Sequence, residues 1–274
     1  MDAALSPGDG HERPQTACAG PPLLQADNLT VRAGTRELVT GLSVEVHGGE
    51  LIAILGRNGT GKTLTLHTLA GLREPHRGTV RLQGVPLSGL RRRDIARRLG
   101  VLTQDVEEGF VSTALESVLI GRHPHLALWQ WESAEDEQLA RRALAQVDLE
   151  ACADRRMDTL SGGEQRRVAI ASLLAQQPQI YLLDEPTNHL DPHHQLAVLK
   201  IFRALADGGC AVIATLHDPT LAARFSDRAI LLFGDGRWAA GPSERILTSA
   251  TLSELYLTPV VEVQANGHRA FVVA

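Results

Sequence analysis

The sequence predicts an α/β fold with a mostly parallel β-sheet and one helical insertion. Short apolar runs alternate with amphipathic helical runs along most of the chain, and this alternation is typical of a parallel sheet covered by helices. The runs at 51–55 and 180–183 are wholly apolar, as strands buried on both faces are. Residues from about 112 to 154 contain two helical patterns and no strand, which indicates the insertion.

Each element follows from its local pattern. Residues 1–22 are rich in Gly, Pro and Ala and lack periodicity, which predicts a disordered tail. Alternating apolar residues predict two strands from Leu23 to about residue 50. The remaining strands are predicted at 51–55, 79–82, 100–103, 180–183, 211–215 and 229–233, and the helices at about 62–72, 114–121, 134–147, 163–176, 193–205 and 219–225.

Composition excludes several classes of protein. The chain has 274 residues and a net charge of −5, whereas nucleic-acid binders usually carry a basic footprint, so no nucleic-acid partner is predicted. Three scattered cysteines without a CxxC pair do not indicate a metal or redox site. No apolar run reaches the ~18 residues of a membrane span, and the N-terminus lacks the apolar core of a signal peptide. We therefore expect a cytoplasmic protein whose membrane role would depend on a partner.

A glycine-rich loop follows the strand at 51–55. Gly56-Arg57-Asn58-Gly59-Thr60-Gly61-Lys62-Thr63 fits G-x-x-x-x-G-K-[ST], the Walker A pattern, between a strand and a helix as that pattern requires. The backbone N–H groups of such a loop and the start of the following helix attract phosphate. Lys62 would bind the β- and γ-phosphates and Thr63 would ligate Mg²⁺. Only one other lysine, Lys200, occurs in the chain.

Two acids follow the strand at 180–183. Asp184 and Glu185 come directly after Ile180-Tyr181-Leu182-Leu183, and the carboxyl ends of parallel strands are where α/β sheets bind ligands. We expect Asp184 to support Mg²⁺ and Glu185 to act as general base on the attacking water.

Two further motifs, combined with Walker A, make the chain resemble the ATP-binding subunits of ATP-binding cassette (ABC) transporters. They are Leu160-Ser161-Gly162-Gly163-Glu164-Gln165 before a helix and Asp184-Glu185-Pro186-Thr187-Asn188-His189-Leu190-Asp191 downstream. The resemblance covers about residue 23 to the C-terminus. It implies a P-loop NTPase domain over 23–274, with an N-terminal antiparallel β subdomain and a helical subdomain at about 105–157.

The resemblance also implies roles for single residues. Ser161, Gly162 and Gly163 would bind the γ-phosphate held by a second copy, which suits a helix N-terminus, and Asp191 would be the D-loop aspartate. Gln104 falls at the Q-loop, where it would contact Mg²⁺ or water, and His217 at the switch histidine. The resulting set is catalytic Glu185, His217 and Gln104; ATP-binding Asn58, Gly59, Thr60, Gly61, Lys62, Thr63, Ser161, Gly162, Gly163 and Asp191; and Mg²⁺-binding Thr63, Gln104 and Asp184.

One position departs from the family pattern. The first strand normally carries an aromatic residue that stacks on adenine, and here that position holds Ala33. Stacking contributes about 1–3 kcal/mol per base in nucleic-acid systems. Weaker apolar contacts or a nearby Arg36 would then hold the adenine, which places base selectivity in question.

Finer resemblance indicates an importer. Leu119-Ile120-Gly121-Arg122-His123-Pro124 and Leu216-His217-Asp218-Pro219 are similar to the group that energises import of iron–siderophores, haem and cobalamin, among which cobalamin is favoured. The expected partners are a second copy in a head-to-tail dimer, membrane permease subunits and, indirectly, a periplasmic binding protein, with the chain on the cytoplasmic face of the inner membrane. The alternative is a soluble ABC ATPase acting with an assembly partner, as in iron–sulfur cluster biogenesis.

Two surface features complete the predictions. The arginines at 91–93 and 97–98 predict a solvated helix face. Trp129 and Trp131 lie between the two helices of the insertion, where they could form a partner interface or pack within the insertion.

Overall fold

The computed structural model describes residues 20–104, 112–127, 129–265 and 267–274. Its strands are β1 (Leu24–Ala33), β2 (Arg36–Val46), β3 (Leu51–Leu55), β4 (Arg77–Leu82), β5 (Val85–Pro86), β6 (Leu99–Leu102), β7 (Ile180–Leu183), β8 (Ala211–Thr215), β9 (Arg228–Leu232), β10 (Trp238–Pro242), β11 (Val260–Ala265) and β12 (His268–Val273). Its helices are α1 (Lys62–Leu69), α2 (Arg92–Ala96), α3 (Ala114–Leu119), α4 (Ala134–Gln146), α5 (Gly162–Gln176), α6 (Pro192–Asp207), α7 (Pro219–Phe225), α8 (Ser243–Ile246) and α9 (Ser249–Tyr256).

A six-stranded sheet forms the centre, in the order β10-β9-β3-β8-β7-β6. Five of its strands are parallel, and β10 pairs antiparallel with β9 at one edge. A second sheet, β2-β1-β4-β5, is antiparallel. The predicted combination of a mostly parallel core and an N-terminal antiparallel subdomain is confirmed.

The side chains of β3 explain why its sequence is apolar throughout. All five residues are buried. Leu51, Ala53 and Leu55 pack into the core cluster that contains the helical layer. Ile52 and Ile54 pack on the opposite face, against α1 and the antiparallel sheet. Because successive residues of a strand point to opposite faces, a strand covered on both faces needs apolar residues at every position.

The helical layer is built from α3, α4 and α5, which pack against one another. Each begins with a reciprocal capping box, Thr113 with Glu116, Ser133 with Asp136 and Ser161 with Glu164. These boxes satisfy N–H groups that a helix start leaves unpaired. Among the described residues, no helix is both long and apolar enough to cross a membrane.

Several elements differ from the sequence predictions. Helix α1 ends at Leu69 instead of continuing to about residue 72, and the predicted helix at 114–121 becomes α3 followed by a 3₁₀ turn at Ile120–Arg122. The segment after residue 233, for which no element was predicted, contains β10, α8, α9, β11 and β12. Residues 1–19 of the predicted tail and residues 105–111 at the start of the predicted helical subdomain lie outside the described residues.

Candidate active site

The glycine loop after β3 has the backbone that its sequence predicts. Gly59 and Gly61 have φ values of 78° and 101°, in the left-handed region that glycine adopts without strain. Gly56 is needed for space, because a Cβ there would lie 2.5 Å from Thr60 Oγ1 and 2.6 Å from Leu232 O. The loop ends at Gly61, which is the N-cap of α1, so the N–H groups of α1 are available to an anion.

Lys62 is enclosed by this loop. The residue is only 5% exposed, and its Nζ donates to Gly56 O at 2.9 Å and to Arg57 O at 3.3 Å. Desolvation by burial lowers the pKa of Lys62, while the charges of Glu185 and Asp184 act in the opposite direction. An entering phosphate would offer this ammonium group stronger acceptors than the two carbonyls.

Asp184 provides a buried carboxylate at the end of β7. The residue is fully buried, and its Oδ1 accepts a hydrogen bond from Thr215 Oγ1 at 2.7 Å. Its other oxygen, Oδ2, is buried and has no hydrogen-bond partner among the described residues. An unpaired buried carboxylate oxygen is costly unless a cation binds it, and oxygen ligands are those that Mg²⁺ prefers. The donor set at this position therefore fits a magnesium ion.

Glu185 is held on both carboxylate oxygens. Oε1 hydrogen-bonds with His217 Nε2, and Oε2 accepts from Asn188 Nδ2. The Glu185 backbone N–H donates to Thr215 Oγ1 at 2.8 Å. Its φ of +49° is in the left-handed region, which costs a non-glycine residue of order 1–3 kcal/mol and is concentrated at active sites. The structure thus brings together Lys62, Asp184, Glu185 and His217, as the sequence predicts.

Gln104 is linked to the residues around Asp184 and Glu185 by a backbone hydrogen bond to Arg166. It follows β6, the strand next to β7 in the sheet, and its carbonyl accepts from Arg166 Nη1 at 3.2 Å. The Gln104 side chain is exposed, and the loop that follows lies outside the described residues. The structure therefore places Gln104 beside the acids without a side-chain contact to them.

The signature residues form the start of α5. Ser161 Oγ donates to Glu164 Oε2 at 2.9 Å and accepts from the Glu164 N–H at 3.3 Å, so the side chain caps its own helix. A Cβ at Gly163 would lie 3.2 Å from His189 O, which shows that the signature segment and the D-loop pack closely. The hydrogen bonds of the Ser161 side chain do not reach Lys62, Asp184 or Glu185 within the described part of this chain.

Asp191 has a local structural duty that the sequence analysis did not assign to it. It is the N-cap of α6, where Oδ1 accepts from the His194 N–H at 3.0 Å and Oδ2 contacts His194 Nδ1 at 2.8 Å. The backbone hydrogen bond from His194 is the main reason that the pKa of Asp191 is lowered. The carboxylate is exposed, so it remains open to a second molecule.

Comparison with known proteins places this site in a family. The sequence pattern of ABC transporters matches residues 39–188, more than half of the chain. The chain belongs to the ABC transporter family. It is similar to the hemin import ATP-binding protein HmuV of Nocardia farcinica, at 41% identity over 257 residues that cover 92% of this chain and 88% of that protein.

Solved structures agree with this assignment. A metal-chelate type ABC transporter in an inward-facing conformation has a TM-score of 0.81 and 27% identity, with 92% of this chain and 98% of that one covered. A dimeric ATP-binding cassette in a post-hydrolysis state, bound to ADP and Pi, has a TM-score of 0.69 and 28% identity, with 79% and 97% covered. ABC ATPases couple ATP hydrolysis to transport, and this chain is an ATPase of that family. The expected preference for cobalamin finds no support, because the relative is named for hemin.

The base subsite of this ABC ATPase differs from the family pattern in a definite way. Ala33 is exposed and pairs with Arg36 across the β1–β2 turn. Arg36 Nη2 donates to Gly234 O at 2.6 Å. A Cβ at Gly234 would lie 2.9 Å from Thr60 Cγ2, so Gly234 abuts the phosphate loop. The guanidinium of Arg36 is thereby held close to the phosphate loop, and its contact with a nucleotide base stays a prediction.

The insertion of this ABC ATPase presents two aromatic side chains to solvent. Trp129 is 91% exposed and Trp131 is 86% exposed, so the expectation that they pack within the insertion is wrong. Arg93 and Arg97 donate hydrogen bonds to Pro124 O, at the end of the segment that precedes the two tryptophans. Exposed aromatic residues suit an interface.

Three polar residues around the site were not predicted. Thr215 bridges Asp184 and Glu185, Asn188 holds the Glu185 carboxylate, and Arg166 binds the backbone of Gln104 and both acids. A threonine ending an apolar strand and an asparagine three residues after the base are detectable signals. The hydrogen bonds of Arg166 join residues up to 63 positions apart in the sequence, and no local sequence pattern predicts them.

Proposed function

We propose that this chain is the ATPase subunit of a hemin importer and works as a pair of copies on separate membrane permease subunits. The observation that carries the proposal is that the phosphate loop with Lys62, the buried carboxylate of Asp184 and the proposed general base Glu185 lie together at one edge of the central sheet. The chain is also 41% identical to a hemin import ATP-binding protein over 92% of its length.

The glycine loop and Lys62 would bind the triphosphate of ATP. Thr63 and Asp184 would hold Mg²⁺, with Gln104 as a further ligand. The metal ion neutralises charge on the phosphates and makes the terminal phosphorus more open to attack. Asn58, Gly59, Thr60 and Gly61 would complete the phosphate loop, because backbone N–H groups at a helix start attract an anion.

Glu185 is the proposed general base. Its carboxylate is buried and is fixed by His217 and Asn188, so it can take a proton from a water molecule held in front of the terminal phosphate. His217 orients this carboxylate and would contact the phosphate itself. The positive φ of Glu185 turns its side chain out of the direction of β7 at the point where the strand ends.

A second copy is needed to complete each site. Ser161 caps α5, and Gly162 and Gly163 are the first residues of that helix. The Ser161 side chain hydrogen-bonds to Glu164 of its own helix. A helix start with exposed small residues is suited to bind phosphate from another molecule. The dimeric cassette bound to ADP and Pi supports a pair of copies. In the proposed head-to-tail arrangement, Asp191 would also face the partner.

The permease would be recruited at the surface of the insertion. Trp129 and Trp131 offer exposed apolar area, and tryptophan is prominent among residues that dominate binding energy at interfaces. This arrangement would hold the chain on the cytoplasmic face of the inner membrane, and a periplasmic binding protein would act through the permease. Nothing in the site favours the alternative, an ATPase of iron–sulfur cluster assembly.

Reconstitution with the permease tests the proposal. The chain and the permease would be placed in proteoliposomes, and ATP-driven movement of hemin, cobalamin and a ferric siderophore would be measured in parallel. We expect hemin to move and to stimulate ATP hydrolysis most strongly. Lys62→Ala should abolish both activities, whereas Lys200→Ala, which changes the only other lysine in the chain at an exposed position of α6, should leave both intact.

Movement of cobalamin or the siderophore in place of hemin would refute the substrate assignment. An ATP hydrolysis rate that is the same with and without the permease would refute the transport role.

A further inference from the structure

Arg166 is a buried cation that joins three parts of the active site. It lies on α5 and is 2% exposed. Its Nη1 donates to Thr103 O and Gln104 O, the latter at 3.2 Å. Its Nη2 donates to Asp184 O and to Glu185 O, the latter at 2.8 Å. One guanidinium therefore binds the backbone of two segments that carry catalytic groups.

The two segments are neighbours in the sheet. Residues 103–104 follow β6, residues 184–185 follow β7, and the Asp184 N–H donates to Leu102 O at 2.8 Å. A guanidinium is a rigid planar fork with five N–H donors and is always charged. It can therefore fix the spacing of two backbone segments at once. A lysine ammonium is a point charge on a flexible stem and cannot reproduce this geometry.

The start of the same helix carries the proposed contact with the second copy. Ser161 is the N-cap of α5 and, in the proposed dimer, contacts the ATP bound by the second copy. Arg166 lies five positions after Ser161, about 7.5 Å along a helix. Helix α5 therefore carries a group for the partner's nucleotide and, close by, an anchor on the residues that act on its own nucleotide.

We propose that Arg166 is a positioning residue that couples the two ATP sites of the dimer. When ATP held by the second copy draws in the start of α5, the guanidinium transmits the shift to the backbones of Gln104 and Glu185. Arg166 itself does not touch the nucleotide. The proposal rests on the two-copy arrangement of the proposed function and goes beyond it by naming the link between the sites.

A purely structural role predicts different measurements. If Arg166 only stabilises the core, its replacement lowers the unfolding temperature and leaves the kinetics of the folded protein unchanged. If Arg166 positions the catalytic groups, its replacement lowers kcat and removes cooperativity between sites, while the affinity for nucleotide, which depends on Lys62 and the glycine loop, is retained.

The test uses the full chain assembled with its permease. ATP hydrolysis by wild type and Arg166→Lys would be measured over a range of ATP concentrations, and the affinity for a fluorescent ADP analogue would be measured separately. We expect a Hill coefficient above 1 for the wild type. For Arg166→Lys we expect kcat to fall at least tenfold and the Hill coefficient to approach 1, with the ADP-analogue affinity changed less than twofold.

Arg122→Lys is the matched control. Arg122 is also buried, at 9% exposure, and its guanidinium donates to Asp136 Oδ1 and Ala175 O, both at 2.8 Å. These partners belong to the helical layer and do not include the catalytic segments. We expect this variant to lower the unfolding temperature and to keep the wild-type kcat and Hill coefficient.

Each other outcome overturns the proposal. Wild-type kinetics in Arg166→Lys, equal loss of kcat in both variants, or a wild-type Hill coefficient of 1 would each do so. If Arg166→Lys does not fold, Arg166→Gln replaces it, because an amide donates two hydrogen bonds and buries no charge. If neither variant folds, the residue is structural and the proposal fails. In every one of these outcomes the wild-type protein still hydrolyses ATP. If the proposed function itself were wrong, the wild-type protein would not hydrolyse ATP.

Discussion

Lys62 shows how burial and binding are balanced at one side chain. The lysine is more enclosed than a loop position suggests, and burial lowers its pKa. Its two hydrogen bonds to carbonyls offset part of the cost of desolvating the ammonium group. Replacing the side chain removes both the cost of desolvating the ammonium group and the two hydrogen bonds that offset it. The stability of the nucleotide-free protein should therefore change little.

We therefore predict that Lys62→Ala weakens MgATP binding without unfolding the protein. A hydrogen bond to a charged group contributes about 1.5–3 kcal/mol, so affinity should fall about 10- to 100-fold. Calorimetric titration measures the affinity, and a thermal scan without nucleotide measures the stability. Aggregation or a large fall in the unfolding temperature of the nucleotide-free variant would mean that Lys62 has a structural role.

The base subsite gives a second prediction at the residue scale. With Ala33 in place of an aromatic ring and Arg36 held at Gly234 O, we expect contact with the base to come from the Arg36 guanidinium, which can stack on any base. The affinity for GTP should lie within roughly tenfold of that for ATP, since one stack is worth about 1–3 kcal/mol.

The variants at this position give matching expectations. Arg36→Ala should lower the affinity for ATP and for GTP equally. Ala33→Tyr should raise the affinity for ATP, provided that Arg36 leaves room for the ring.

Competition titrations on these variants decide the point. Arg81→Ala is the control, because Arg81 is an exposed arginine of the same antiparallel sheet that pairs with Asp27. A strong preference of the wild type for ATP, unchanged in Arg36→Ala, would show that another residue selects the base.

At the scale of elements, the start of α4 depends on one ion pair. Asp136 accepts hydrogen bonds from Arg122 Nε at 2.8 Å, from the Ser133 N–H at 3.0 Å and from Ser133 Oγ at 2.7 Å. The side-chain hydrogen bond from Arg122 is the main cause that lowers the pKa of Asp136 from 3.8 to about 2. The carboxylate thus ties α4 to the 3₁₀ turn after α3.

We predict that Asp136→Asn destabilises the protein by about 2 kcal/mol at pH 7, the scale of a hydrogen bond to a charged group. Because the folded-state pKa lies below the unfolded value, this stabilisation is present above about pH 4 and is lost as pH falls towards 2. Urea unfolding at several pH values measures the difference between the variant and the wild type.

Asp158→Asn is the matched control for this prediction. Asp158 also has a lowered pKa, caused mainly by the side-chain hydrogen bond from Arg156, but the pair is exposed. Exposed ion pairs contribute little, so this variant should remain close to the wild type. Equal effects of the two variants, or an effect of Asp136→Asn that does not depend on pH, would contradict the account.

Elements with strong local signals were predictable, and elements defined by distant contacts were not. The wholly apolar β3 and β7 and the capping pairs of α4 and α5 are visible in the sequence. The strand β10 has the sequence WAAGP and no alternation. It is a strand because it pairs with β9, which no local pattern encodes.

The site shows the same division. Lys62, Asp184 and Glu185 stand in motifs whose residue types and order carry the chemistry, so their convergence was predictable. The buried position of Arg166 depends on the packing of α5 over two strand ends, and the N-cap role of Asp191 depends on where α6 begins. Both are set by tertiary structure rather than by the residue type alone.

At the scale of the whole molecule, the proposed site combines groups from two copies of the chain. The phosphate loop and the acids lie at the carboxyl ends of the central strands, while Ser161 begins a helix whose cap hydrogen bonds are local. In the proposed dimer, Lys62 and Glu185 of one chain serve one nucleotide and Ser161 serves the other. Hydrolysis should require two copies, and blocking it after ATP binding should trap the pair.

The mass of Glu185→Gln in solution, with and without MgATP, tests this claim most directly. The amide keeps the shape of the side chain and removes the base, so we predict very slow hydrolysis and an ATP-dependent dimer in light scattering. Adding Ser161→Arg to the same chain should abolish the dimer, because the new side chain occupies the place of the partner's phosphate. A Glu185→Gln protein that stays monomeric with MgATP, or that dimerises regardless of ATP and of Ser161, would contradict the account.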